Sequence, residues 1–282
     1  MYFGIRHLVA KVLVVAVAGA VAGSLVAGPA VAATVPGPVL LYDYNFAGTT
    51  GTVKNSAPSG PHVSLKLSGT WSAVQGGVHF SGDTSGHESV AYGKPTSGYT
   101  LDEPSSAAVG FGALVRYNGP ASGTCFRSTP NLTQVGRFGP HSPQAKIQLT
   151  SCAANTTHVM MECRFAGGKL APAKDEVVST LPLVNDAEYR VTCVKSPDTN
   201  LKTTVTLKVT DISTRHTVTT TGTEPAMGAL KSKEYISAGN KYPLPTAAAN
   251  TSQFNGDMFR TVYCAGTPAK VNGCLAARLP SS

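Results

Sequence analysis

Apolar and polar residues alternate along most of the chain after residue 38. Residues 202–210 (KTTVTLKVT) carry an apolar side chain at nearly every second position, and residues 109–117 follow the same period. A period of two is typical of a β-strand with one buried face and one solvent-facing side. Other segments with a strand-like pattern are 39–46, 62–67, 77–80, 88–92, 132–138, 144–150, 158–165, 177–181, 188–193, 215–221, 234–238 and 257–263.

Turn-forming residues separate these segments, and no amphipathic stretch with the helical period extends beyond a turn or two. About fourteen short strands without helices predict an all-β fold, a two-sheet antiparallel sandwich or a barrel. Two tandem immunoglobulin-like domains are the alternative. That fold places a tryptophan between two cysteines, whereas Trp71 precedes every cysteine of this chain. One domain is therefore the simpler interpretation.

The first 32 residues have the features of a secretory signal peptide. Basic residues precede an apolar run, 12–26, that glycines interrupt, and residues 30–32 (Ala-Val-Ala) suit cleavage. A membrane anchor is the alternative, but a bilayer span needs about 20 uninterrupted apolar residues. We expect cleavage near Ala32, a short linker over 33–38, and a remaining chain that is released or held at the cell surface by other means.

Composition and charge narrow the classes of protein. Charged residues make up 13% and hydrophobic residues 42% of the chain, which excludes a coiled coil and a charge-driven disordered protein. Without Arg6 and Lys11 of the leader, 21 Lys and Arg face 15 Asp and Glu, a net charge of +6. These basic residues are scattered, so nucleic acid is not the expected partner. Weak attraction to anionic cell-wall polymers stays open.

The cysteines predict a disulfide framework, because an exported chain leaves the reducing cytosol. Six cysteines permit fifteen pairings. Cys163 and Cys193 each fall on the apolar side of a strand and can bridge if those strands are neighbours. Cys264 and Cys274 enclose a short loop, and the other two pair by elimination. The six candidate residues are Cys125, Cys152, Cys163, Cys193, Cys264 and Cys274.

Motifs for common catalytic and metal sites are missing from the sequence. It has no Gly-x-Ser-x-Gly elbow and no Cys-x-x-Cys, and His87-Glu88 lacks the second histidine of a zinc protease. Glycosidases on sandwiches need two carboxyl groups on one face, which acids two residues apart on a strand supply. Asp102-Glu103 and Asp175-Glu176 are adjacent instead, so we assign no catalytic residue and no metal ligand.

Eight segments in order resemble secreted laminin-G-like proteins of high-GC actinobacteria, which have the concanavalin A-like jelly-roll fold. The resemblance covers most of residues 39–264 and implies two antiparallel sheets and, for many relatives, binding of glycans or matrix polymers. The segments are 71–82 (WSAVQGGVHFSG), 109–117, 131–138 (NLTQVGRF), 144–149, 163–165, 186–193 (DAEYRVTC), 237–241 and 253–257 (QFNGD).

Calcium is a further implication of this resemblance, because some members hold a structural calcium ion with an acid on the last strand. The position that often carries this acid is Phe259 here, beside Arg260. Asp257 or Asp43 are candidates to replace it, since Ca²⁺ takes carboxylate oxygens. We expect no cofactor, with calcium as the alternative.

A carbohydrate site on such a domain would use aromatic rings as stacking platforms beside a few polar groups. Sandwiches also bury aromatic residues in their cores, so we assign none of the candidates to a site. The tyrosines nearest to turns are Tyr92, Tyr99, Tyr117, Tyr235 and Tyr242.

The sequence thus predicts a secreted, monomeric jelly-roll domain over 39–264, followed by a disulfide-closed tail, 265–282. Its expected role is non-catalytic binding or surface interaction, with carbohydrate or cell-wall and matrix polymers as partners. A divergent glycoside hydrolase or lyase, and a purely structural extracellular domain, are the alternatives, because one fold hosts many functions.

Overall fold

A computed structural model describes residues 39–58, 60–81, 88–120, 129–139, 142–151, 158–166, 175–242 and 253–280. One helix is described, α1 (Pro268–Arg278). The strands are β1 (Val39–Asn45), β2 (Thr52–Val53), β3 (Leu65–Ser68), β4 (Trp71–Val74), β5 (Gly77–Phe80), β6 (Val90–Gly93), β7 (Leu101–Glu103), β8 (Ala108–Tyr117), β9 (Asn131–Gly139), β10 (Ser142–Leu149), β11 (Met160–Ala166), β12 (Asp175–Pro182), β13 (Ala187–Lys195), β14 (Lys202–Asp211), β15 (Thr217–Pro225), β16 (Leu230–Ser232), β17 (Ile236–Ala238) and β18 (Gly256–Gly266).

Two antiparallel sheets of eight strands each contain most of these elements. Sheet A has the order β15-β14-β13-β8-β18-β5-β4, with β1 also paired to β18, and sheet B has the order β12-β11-β10-β9-β17-β6-β3-β2. Strands β7 and β16 form a separate ribbon. Neighbours such as β8 and β18, or β9 and β17, are far apart in sequence, as in a jelly roll. This confirms the predicted all-β, two-sheet antiparallel jelly-roll sandwich.

The hydrophobic core fills the space between the two sheets. Val205, Leu207 and Val209 on β14 are buried at alternate positions, as the period of two predicts. The rings of Phe111 on β8 and Phe165 on β11 meet across the core in a T-shaped contact, with centroids 5.2 Å apart. Apolar side chains from both sheets therefore hold the layers together.

Two disulfides are described, and they have different positions in the fold. Cys163 on β11 and Cys193 on β13 point into the core from opposite sheets rather than from paired strands, with Cα atoms 6.0 Å apart. This bond links the two layers. The second joins Cys264 on β18 to Cys274 on α1. The predicted partners Cys125 and Cys152 lie outside the described residues.

Helix α1 contradicts the expectation that the tail contains no helix beyond a turn or two. The side chain of Thr267 caps its first turn by accepting from the Lys270 N–H, and proline opens the helix, where a missing N–H does no harm. Val271, Leu275 and Leu279 follow at four-residue intervals and are buried in a second apolar cluster. The helix therefore depends on contact with a sheet.

The docking place of α1 is the outer face of β8, where two glycines make room. A Cβ atom at Gly110 would lie 2.4 Å from Val271, and one at Gly112 would lie 2.5 Å from Leu279. Larger residues at these positions would clash with the helix. Within the described ranges, no helix has the length and apolarity needed to cross a bilayer.

Candidate functional site

Polar side chains form a line across sheet B, one from each of seven neighbouring strands. Each member lies directly opposite the next in the strand register, so all share one face of the sheet. With neighbouring strands about 4.8 Å apart, the line is roughly 29 Å long. We call it the polar row; its members are Lys66 (β3), Tyr92 (β6), Ser237 (β17), Gln134 (β9), Lys146 (β10), Arg164 (β11) and Glu176 (β12).

The polar row lies on the face of sheet B that points away from the core. The residues that alternate with its members on the same strands belong to the core, for example Ala145, Ile147 and Cys163. Successive side chains of a strand point to opposite faces, so the row has the other face. The centre of the row is nevertheless well packed, because Lys146 is only 9% exposed and Gln134 is 4% exposed, whereas Lys66 at its β3 end is exposed.

A second set of polar residues lies beside the row. Gln148 and Glu162 are opposite each other on β10 and β11, and the Gln148 Nε2 donates a hydrogen bond to Glu162 Oε1 at 2.5 Å. Asn131 Nδ2 donates to Gln134 Oε1 at 3.0 Å. Three buried oxygens, Asn131 Oδ1, Gln148 Oε1 and Ser237 Oγ, have no hydrogen-bond partner among the described residues. Since buried polar atoms are normally paired, these oxygens are unused hydrogen-bond acceptors within the site.

Burial shifts the pKa values of one lysine and one glutamate of this site toward neutral pH. It lowers the pKa of Lys146 to about 8, and the charge of Arg164 acts in the same direction. It also raises the pKa of Glu162 to about 7, helped by the charge of Glu176. Both side chains can therefore exchange protons near pH 7.

Replacing Glu162 with glutamine is expected to stabilise the protein selectively at high pH. The folded-state pKa of about 7 lies above the ordinary 4.5, so the stability that protonated Glu162 contributes is lost as pH rises through 7. Glu162→Gln should match the wild type near pH 4.5 and exceed its free energy of unfolding by about 1–3 kcal/mol at pH 8. Urea unfolding across this range measures the difference, and parallel pH curves would contradict the assigned environment.

Three of the five candidate tyrosines converge at the β6 end of the polar row. Tyr92 stacks on Tyr242 with ring centroids 3.8 Å apart and planes 5° apart. Tyr235 meets both rings edge-on, and Lys94 Nζ lies 5.2 Å from its centroid. We call Tyr92, Tyr235 and Tyr242 the tyrosine cluster. Its rings are only partly buried and offer apolar surface next to the hydrogen-bonding groups.

The other two candidate tyrosines lie elsewhere. Tyr117 is buried in the core, and Tyr99 is exposed between Lys231 and Lys233. The structure therefore separates the five candidates into a cluster of three and two unrelated positions.

The two candidate calcium ligands are already bound by cationic or basic side chains. Both carboxylate oxygens of Asp43 accept from Arg260, each at 2.7 Å. Asp257 contacts His79 Nδ1 at 2.7 Å and Arg116 at 3.2 Å. Among the described residues, no group of three or more His, Cys, Asp or Glu side chains is arranged to hold a metal ion.

Another cleft, of about 670 Å³, lies at one end of sheet A, at the ends of β8 and β13. Its charged groups bind one another: Arg116 contacts Glu188 at 2.6 Å, and Asn118 donates to Asp186 at 2.6 Å. These pairs occupy most of the polar groups of the cleft, and Asn118 Oδ1 has no hydrogen-bond partner among the described residues.

The comparisons with known proteins find a likeness of fold alone. No protein-family model matches the sequence, and no curated protein matches it. Among solved structures, the marine PL-14 alginate lyase from Aplysia kurodai is 8% identical, over 81% of this chain and 99% of that one, with a TM-score of 0.43.

Two further solved structures are similar at the same level. The basic winged bean lectin with Tn-antigen is 9% identical, over 80% of this chain and 98% of that one, with a TM-score of 0.46. The binding domain of botulinum neurotoxin DC in complex with SialylT is 7% identical, over 85% of this chain and 52% of that one, with a TM-score of 0.47. At these values the likenesses carry nothing about the ligand or activity of this protein, and its class rests on its own strand order.

Proposed function

We propose that the polar row and the tyrosine cluster bind a carbohydrate polymer that lies across the strands of sheet B. The observation that carries this proposal is the continuous register of polar side chains over seven strands. The strand spacing of about 4.8 Å is comparable with the advance of a polysaccharide per sugar ring, so successive rings can meet successive strands.

The chemistry of the site suits sugar hydroxyl groups. Amide side chains such as Gln134 and Gln148 both donate and accept hydrogen bonds, as hydroxyl groups require. The unpartnered oxygens of Asn131 and Ser237 add acceptors inside the site. The tyrosine cluster supplies apolar ring surface for the carbon-bound faces of a sugar at one end, which is the usual composition of a small-molecule site.

The proposed context is extracellular. We infer a signal peptide over 1–32, a linker over 33–38, a jelly-roll domain over 39–264, a closed tail over 265–282 and a third disulfide between Cys125 and Cys152. The two described disulfides support export, since such bonds persist in oxidising compartments. The resemblance to secreted actinobacterial laminin-G-like domains supports a cell-wall or matrix polymer as partner. The protein would act as a monomeric, non-catalytic binding module.

Cleavage of the bound polymer is the second candidate function, and one observation favours it. Lys146 and Glu162 titrate near neutral pH on adjacent strands of the same face. An elimination reaction needs a neutral base to remove a carbon-bound proton and an acid to protonate the departing oxygen. Shortening of a polymer during incubation with the protein, abolished in Lys146→Met, would favour this function over binding alone.

Affinity electrophoresis of the oxidised mature chain in gels containing different polysaccharides tests the binding function. Gln134→Met and Tyr242→Ala should each weaken binding of the retarding polymer by about tenfold, because each removes a polar or ring contact. Gln75→Met and Tyr99→Ala are matched controls on exposed positions outside the site and should bind as the wild type does. Retardation that all four variants retain, or no retardation by any polymer, would refute the proposed site.

A further inference from the structure

Building on the proposed function, we infer that the bound polymer is anionic and that Lys146 and Arg164 hold one of its negative charges. The two side chains lie directly opposite each other on β10 and β11, on the same face of sheet B. Like charges at directly opposite positions of a sheet repel each other. Burial strengthens this repulsion because less water screens it.

The described carboxylates neutralise this pair only in part. Arg164 forms an ion pair with Glu176 at 3.0 Å. No carboxylate of the described residues lies within the 4.0 Å ion-pair distance of the Lys146 Nζ. The nearby Glu162 carboxyl is held by Gln148. Lys146 therefore lies in the middle of the polar row beside the cationic Arg164, and none of the described carboxylates forms a direct ion pair with it.

The local charge count indicates how many negative charges the ligand brings. Among the described residues, the charged groups that act on Lys146 are Arg164 and Lys241, which are cationic, and Glu162 and Glu176, which are acidic. With Lys146 itself, three cations face two acids among these residues, so the surplus is one positive charge when Glu162 is ionised. One anionic group of the ligand at this position would balance the surplus positive charge. A uronate carboxylate or the phosphodiester of a sugar-phosphate chain can supply that group.

The surrounding groups favour a sparsely charged saccharide. The carboxylates of Glu162 and Glu176 on the same face would repel a ligand with closely spaced phosphates. On the same strand as Lys146, Gln148 Oε1 is buried and has no partner among the described residues. It can accept from a hydroxyl group of the sugar ring that carries the anion. An alternation of one charge with several hydroxyl groups is the pattern of an acidic polysaccharide.

The first experiment changes the ligand and leaves the protein intact. Binding of the oxidised wild-type chain is measured by affinity electrophoresis on polygalacturonate, on the same polymer after methyl esterification, and on polyglycerol-phosphate teichoic acid. We expect binding to at least one anionic polymer and at least about tenfold weaker binding to the esterified, neutral form. Preference for polygalacturonate assigns a carboxylate to the site, and preference for teichoic acid assigns a phosphodiester.

Equal binding of the charged and esterified polymers would overturn the inference of an anionic ligand and leave the proposed carbohydrate site intact. Binding of none of these three polymers, and of no polysaccharide in the gels that test the proposed function, would overturn both. These two results are therefore distinguishable without any variant, and the test does not depend on the folding of a mutant.

The second experiment assigns the charge to Lys146. Lys146→Met keeps the length of the side chain and removes its charge, so it should weaken binding of the anionic polymer about tenfold and leave binding of the neutral polymer nearly unchanged. Lys208→Met removes an exposed lysine of β14 in sheet A and serves as the matched control. Equal losses in the two variants would mean that overall charge attracts the polymer, which would contradict the assignment.

Discussion

Replacing Cys163 and Cys193 together with alanine is expected to lower the free energy of unfolding by about 3–4 kcal/mol. The bond joins residues 30 apart in sequence and links the two sheets through the core. In the chain-entropy description, a cross-link stabilises the fold by restricting the unfolded chain, and more so for a longer loop. Urea unfolding without reducing agent measures the change.

The second disulfide provides the matched comparison. Cys264 and Cys274 are only 10 residues apart, so the same description gives a smaller loss for their double alanine variant, about 2–3 kcal/mol. This bond ties α1 to β18, outside the contact between the sheets. If the Cys264/Cys274 variant lost more free energy of unfolding than the Cys163/Cys193 variant, the expected order of the two disulfides would be contradicted.

Asp43→Ala is the second large expected effect, with a loss of about 2–4 kcal/mol in the free energy of unfolding, since its arginine partners are only partly buried. Asp43 is fully buried on β1, and its carboxylate accepts two bonds from Arg260 on β18. Arg278 at the end of α1 lies 3.4 Å from the same carboxylate. The substitution leaves Arg260, 25% exposed, and Arg278, 42% exposed, without their buried counterion, which is more destabilising than losing an exposed pair.

Asp102→Ala is the control for this prediction. Asp102 pairs with Lys231 at 3.1 Å, but both side chains are about half exposed, so the loss should stay below about 1 kcal/mol. Thermal and urea unfolding of the two variants under the same buffer conditions gives the comparison. Similar small losses for both variants would contradict the role of Asp43 as the shared anchor of β1, β18 and α1.

The fold class could be predicted because the period of two is a local property of each strand. Residues 202–210 show it at nearly every second position, and they lie in β14. Helix α1 was missed because its sequence, PAKVNGCLAAR, combines glycine and asparagine with only a narrow apolar stripe. Its formation depends on Gly110 and Gly112 of β8, a contact that local sequence does not reveal. The Thr267-Pro268 start signal was present in the sequence.

The polar row could not be predicted, because it depends on the order of strands in sheet B. Its members come from segments between residues 66 and 176 and from Ser237, and no local pattern brings them together. A search for acids two residues apart on one strand missed Glu162 and Glu176, which reach the same face from two strands. The one signal of the polar row in the sequence is on β10, where the polar residues Gln144, Lys146 and Gln148 occupy every second position. That pattern resembles an ordinary solvent-facing side, and only burial distinguishes it.

A crystal structure of the oxidised mature protein with a bound oligosaccharide measures the central claim most directly. We expect sugar rings that run across β6, β17, β9, β10 and β11, with ligand atoms in hydrogen-bond contact with Gln134, Lys146 and Gln148. An oligosaccharide bound along the direction of the strands, or on sheet A beside α1, would contradict it.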